Sequence, residues 1–115
     1  MVVSKDRVTD YTWGAGCKAW PLVDTDKLSV KEEAMAAGTT EKRHLHAQSR
    51  QFFYILAGVA SLEVAGKDYE MSTGEGMEVA PGLQHCIRNN AEEALRFLVI
   101  SAPSTASDRI DMQPG

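Results

Sequence analysis

Three histidines occur in the 115-residue chain, and two of them, His44 and His46, are separated by one residue. In an extended strand alternate side chains share a face, so these imidazoles stand about 6.6 Å apart at the backbone, from a rise of roughly 3.3 Å per residue. That spacing lets both rings converge on one ion through bonds of about 2.1 Å. Alone, such a pair is weak evidence, because a solvated strand face carries the same pattern. The two cysteines, Cys17 and Cys86, lie far apart with no CxxC or zinc-finger spacing. Free thiols are therefore expected, not a disulfide scaffold.

A strand pair of this kind needs a sheet to hold it, and the surrounding sequence supplies one. Phe52 to Ala57 and Val59 to Ala65 are rich in aromatic and β-branched residues, are split by Gly58, and are closed by Gly66 and Lys67. Tyr69 to Thr73, Gly76 to Ala80, His85 to Asn89 and Leu95 to Ser101 continue the rhythm. Six or more short strands without intervening helices predict an all-β sandwich or barrel. The stretch KEEAMAA at 31–37 has high helix propensity, although alternation through Leu28 and Val30 also permits a strand. No repeat of 20 to 50 residues points to a solenoid or propeller.

The composition fits one folded domain. Hydrophobic residues make up 43% and charged residues 24%, and the formal net charge is −4. A mildly acidic chain is a poor default partner for nucleic acid or an anionic membrane, and no helix-turn-helix pattern accompanies it. The longest mostly apolar run, Phe52 to Ala60, is nine residues, and the N-terminus lacks the apolar stretch of a signal peptide. A cytoplasmic protein is the expectation. Residues 1–27 carry Trp13 and Trp20, which need burial on this subunit or a neighbour. Residues 103–115, rich in Ser, Pro and Asp, read as a tail that need not be ordered alone.

The wider spacing carries a resemblance. Gly38 is followed after five residues by His44, then His46, then after four residues Gln51 and after six more Gly58; Gly74 is followed after five residues by Ala80-Pro81-Gly82, then after two by His85 and after three by Asn89. This resembles the two motifs of the cupin superfamily, in its small single-domain form. The resemblance implies a double-stranded β-helix, or jelly roll, with a barrel domain over about residues 28–102. It also implies that His44, His46 and His85 are metal ligands, together with the residue at position 51, for a divalent transition ion such as Fe, Mn, Ni, Cu or Zn. A family member that has lost its metal and binds an organic ligand is the other reading of the same set.

Two positions depart from the family pattern. Ala80 replaces the first proline of a Pro-Pro-Gly turn, a mild change because Pro81-Gly82 still supplies the turn. Gln51 stands where the family has a metal-binding glutamate. A neutral amide oxygen is a weaker ligand than a carboxylate, so an ion held by three imidazoles and Gln51 keeps its charge of about +2 and favours an anionic or chelating partner. Held only through water or a hydrogen bond, Gln51 would instead orient a ligand. Strand parity from Gln51 places Phe53 and Ile55 on the ligand face, and Phe52, Tyr54 and Leu56 on the opposite face as a packing or subunit surface. Met35 and Phe97 are further candidate wall residues. Cys86, next to His85, should face away from the site, and Tyr54, Arg88 and Arg96 have solvated or interface roles as their simpler reading.

The leading expectation is a metal-dependent enzyme for a low-molecular-weight chelating or anionic substrate, with dioxygenase, isomerase, cyclase and lyase chemistries all open. The competing expectation is a non-catalytic module that binds or senses a sugar or other small molecule. A homodimer, with the N-terminal segment packed at its interface, completes the reading.

Overall fold

The computed structural model describes residues 1–112. Eleven strands account for its regular structure: β1 (Tyr11–Trp13), β2 (Cys17–Asp24), β3 (Ser29–Met35), β4 (His44–His46), β5 (Arg50–Ala57), β6 (Val59–Val64), β7 (Lys67–Ser72), β8 (Gly76–Val79), β9 (His85–Arg88), β10 (Leu95–Ala102) and β11 (Arg109–Asp111). They form two antiparallel sheets, one of six strands in the order β1-β2-β3-β10-β5-β8 and one of five in the order β11-β4-β9-β6-β7. No helix among the described residues is long and apolar enough to cross a membrane.

Alternation sets which side chains enter the space between the sheets. Along β5, Gln51, Phe53 and Ile55 are buried, whereas Phe52 is 38% exposed and Tyr54 and Leu56 are intermediate. The register of β10 divides that interior into two halves. At one end Leu95 pairs with Met35, and at the other Ser101 pairs with both Ser29 and Gln51. The first half is apolar, with Met35, Ile55, Leu62, Ile87, Leu95 and Phe97 all buried in one cluster. Each such side chain stabilises the fold by about 1.5–3 kcal/mol, which lets the other half carry polar groups. Met35 is therefore a plug residue and not part of the cavity wall.

The stretch KEEAMAA contributes to β3 and not to a helix. Its strand pairs with β2 on one side and β10 on the other, and two ladders outweigh a propensity worth a few tenths of a kcal/mol per residue. Tight turns join the neighbours. Ala65 and Gly66, both at positive φ, make the two-residue connection between β6 and β7, as the twist of a hairpin requires. At Gly58, with φ +89°, a Cβ would lie 2.9 Å from the carbonyl oxygen of Ala94, so backbone proximity as well as conformation demands glycine.

Segments near both ends of the described residues join the sheets. β2 pairs with β3 from Lys18 to Asp24, so residues 17–24, read from sequence as an arm outside the barrel, extend the six-stranded sheet. Trp13 packs against the core of its own subunit, and Trp20 is half-buried with the Lys5 ammonium 5.5 Å from its ring centre. The segment read as a tail returns to pair β11 with β4, Arg109 opposite His46 and Asp111 opposite His44. Of that segment, residues 113–115 lie outside the described residues.

Candidate metal centre

The five-stranded sheet presents all three histidines on its inner face. His44 and His46 alternate on β4, and His85 on β9 pairs directly with His44. The three are 1–5% exposed, and one ligand atom from each lies within 4.8 Å of the others. Gln51 enters from the opposite sheet. The three histidines thus come together between the sheets, and Gln51 shares with His44 and His46 the wall of a cavity of about 400 Å³. That volume suits a small molecule.

The rings are held in one tautomer. His44 Nδ1 lies 2.8 Å from the carbonyl oxygen of Lys42, His85 Nδ1 2.9 Å from that of Leu83, and His46 Nδ1 2.9 Å from Asp108 Oδ1. A carbonyl oxygen only accepts, so Nδ1 carries the proton and Nε2 keeps its lone pair, the arrangement of a metal-ligating imidazole. Burial pushes the pKa of His44 down to about 3 and those of His46 and His85 below the ordinary value. The neutral form that a metal needs is therefore the resting form.

Among the described residues three buried side-chain atoms lack partners, Trp13 Nε1 and two at the site itself. His85 Nε2 and Gln51 Oε1 make no hydrogen bond, while Gln51 Nε2 donates to Ser101 Oγ at 3.2 Å. Leaving buried polar atoms unpaired costs about 1–3 kcal/mol each. An ion bound by three imidazole nitrogens and an amide oxygen satisfies both, and such a mixed nitrogen and oxygen donor set suits Zn, Cu, Fe or Ni. The residues present fit the group.

Several contributors had no signature in the sequence. Asp108 supports His46 and also accepts the backbone N–H groups of Gln48 and Ser49 at 3.0 and 2.8 Å. Burial opposes its ionisation, but these donors and the His46 ring prevail and hold its pKa below the usual carboxylate value. Glu33 and Glu41 line the cavity beside Lys31 and Arg109. Burial raises Glu33 to about 7 against the pull of Lys31 and Arg109, and raises Glu41 to about 8 with help from Glu33. Strand parity from Met35 would have turned Glu33 inward, but only once residues 29–35 were known to be a strand.

Other candidates fall elsewhere. Phe97 lines the cavity. Arg88 sits on the outer face, bound to Glu63 at 2.7 Å and Asp68 at 3.1 Å, and Arg96 pairs with Glu32. Cys86 is buried, on the face of β9 opposite His85, opposite Glu63 on β6, and burial raises its thiol pKa. Asn89 closes the second motif structurally: its amide donates to the carbonyls of Met35 and Glu93.

Comparison with known proteins agrees with this fold. The fold superposes on the polyketide cyclase RemF of Streptomyces resistomycificus with a TM-score of 0.85 and 18% identity, covering 100% of this chain and 87% of that one. A predicted oxalate decarboxylase from Thermotoga maritima gives a TM-score of 0.84 at 21% identity, over 90% and 100% of the two chains. An uncharacterized protein of Methanocaldococcus jannaschii is 27% identical over 77 residues, 67% of this chain, and this chain spans only 62% of that relative's length. The family model of the cupin domain matches residues 31–101, a span that holds all three histidines and Gln51. By that match and by its two-sheet barrel, the chain belongs to the cupin family.

Proposed function

We propose that this chain is a metal-dependent enzyme, holding one divalent transition ion through His44, His46, His85 and Gln51 and acting on a small chelating or anionic substrate. The observation that carries the reading is the locked tautomer of all three histidines, which leaves three Nε2 lone pairs on one buried face. When bound, the ion would serve as a Lewis acid that polarises a substrate oxygen. The chain's own groups do the rest. Lys42, Leu83 and Asp108 orient the rings, Ser101 fixes the Gln51 amide with its oxygen free, and Phe53, Phe97 and Val99 supply apolar wall. Lys31 and Arg109, also on the wall, favour a negatively charged guest. A polyketide cyclase and a predicted oxalate decarboxylase among the fold neighbours support an oxygen-rich substrate.

Metal analysis of untagged protein tests this directly, with about one ion per chain expected. Protein that arrives without metal and takes up none of iron, manganese, nickel, copper or zinc on titration would overturn it. A metabolite screen on the loaded protein then separates catalysis from capture: turnover supports the enzyme, and saturable binding without turnover supports a sensing or storage module.

A further inference from the structure

The cavity wall holds a dense set of ionisable side chains, and nearly all are engaged. Lys31 Nζ donates to Tyr11 Oη at 3.0 Å, and Lys42 lies 3.8 Å from Asp111. Arg109 binds Asp111 at 2.7 Å and reaches Glu41 at 4.0 Å. Glu41 also accepts the N–H of Ile87 and stands 3.8 Å from His44 Nδ1. Glu33 is different. Among the described residues no hydrogen bond or ion pair engages its carboxyl group, although β3 turns it into the cavity that His44, His46 and Gln51 line.

A carboxyl so placed contributes little to folding, since its desolvation is offset only in part, by charges that make no bond to it. Its cross-strand neighbours, Ala19 on β2 and Phe97 on β10, offer it no polar atom. The charged groups that act on it are Lys31 from its own strand, Arg109 from β11 and Glu41 from the segment before β4.

We propose that Glu33 is a catalytic acid–base residue that removes and returns a proton on the carbon next to the carbonyl of a small oxo-carboxylic acid, whose carboxylate lies against Lys31 and Arg109. The proposal rests on the reading of the cavity as a substrate site and gives that site a reaction class. In the forward step the C–H bond breaks and its proton passes to the Glu33 carboxylate. The bonding pair forms a carbon–carbon double bond, and the carbonyl pair moves to oxygen as an enolate. In the return step Glu33 gives the proton to carbon and the carbonyl reforms, with no net oxidation. Burial that lifts Glu33 to about 7 suits this cycle, because the group then both accepts and donates near neutral pH. Proton transfer of this kind underlies isomerisation and cyclisation and needs no dioxygen.

Two measurements test it. In metal-free protein labelled with carboxyl-carbon-13 glutamate, the resonance that disappears in Glu33→Gln should titrate near pH 7. A midpoint near the ordinary value of 4.5 would overturn the proposal. In deuterium oxide, zinc-loaded protein should exchange the methyl protons of pyruvate faster than the same concentration of free zinc. Glu33→Gln should lower that exchange by about 100-fold or more, Glu33→Asp should keep part of it, and Glu32→Gln on the outer face should leave it unchanged. Exchange by Glu33→Gln within twofold of wild type at equal zinc content, or wild-type exchange no faster than free zinc, would overturn it. Protein that holds no zinc yet exchanges pyruvate through Glu33 would refute the metal reading alone.

Discussion

Asp108 Oδ1 stands 2.9 Å from His46 Nδ1 across 62 residues of sequence, and the other oxygen of the same carboxylate accepts the backbone N–H groups of Gln48 and Ser49. One side chain from the end of the chain thereby fixes both the ring of a candidate ligand and the turn that follows it. Ser49 Oγ adds a bond to the carbonyl of Pro103 at 2.6 Å. Replacing Asp108 by Asn leaves one oxygen to serve three donors, so either the ring or the turn loses its partner. Metal affinity, measured by competition with a chelator, should fall 10- to 100-fold. Unchanged affinity would show that His46 holds its orientation without help.

Gln51→Glu tests the fourth ligand. The added carboxylate loses the amide donor to Ser101, but the serine hydroxyl can rotate and donate instead. With residue 51 on the ion, the substitution should tighten metal binding and lower the acidity of the centre, so affinity and turnover move in opposite directions. Equal affinities of the two forms would remove residue 51 from direct contact.

The outer face of the five-stranded sheet makes a pH prediction. Glu63 binds Arg43 and Arg88, both at 2.7 Å, and these bonds hold its pKa down to about 2 from an ordinary 4.5. A carboxyl depressed in the folded state binds fewer protons there than when unfolded, so its contribution is complete above about pH 4.5 and is lost as pH falls toward 2. Allowing for solvent screening, that contribution is roughly 1–3 kcal/mol. In urea titrations the stability gap between wild type and Glu63→Gln should be constant at neutral pH and close in acid. A gap that widens below pH 4.5 would contradict the pairing.

Assembly is the fourth prediction. Phe52 and Tyr54 stack on the outside of β5 with ring centres 6.3 Å apart, and Phe52 lies over Gly76, where a Cβ would come within 2.5 Å of its ring. This aromatic surface gives a second copy something flat to cover, and a homodimer is expected at micromolar concentration. Sedimentation equilibrium should show a dimer for wild type and a monomer for a Phe52→Ser, Tyr54→Ser double variant. Wild type sedimenting as a monomer would refute the dimer.

Much of this protein was legible in the sequence, for a local reason. The single residue between His44 and His46, the alternation from Gln51 through Phe53 and Ile55, and the glycines at 38, 58, 74 and 82, all at positive φ, are relations within one strand or one turn, where backbone geometry alone decides which way a side chain points. The motif spacing extended this to the barrel and to His85. Tertiary structure alone decided the rest. It made a strand of residues 29–35 against their helix propensity, because ladders on both sides outweigh a local preference. It folded residues 109–111 back beside β4, which is how Asp108 reaches His46. Among the described residues it also left Glu33 as the one cavity carboxyl without a partner. Such facts depend on which distant groups arrive nearby, and a carboxyl group's pKa is set by those neighbours and by burial, neither of which is written in the residues beside it.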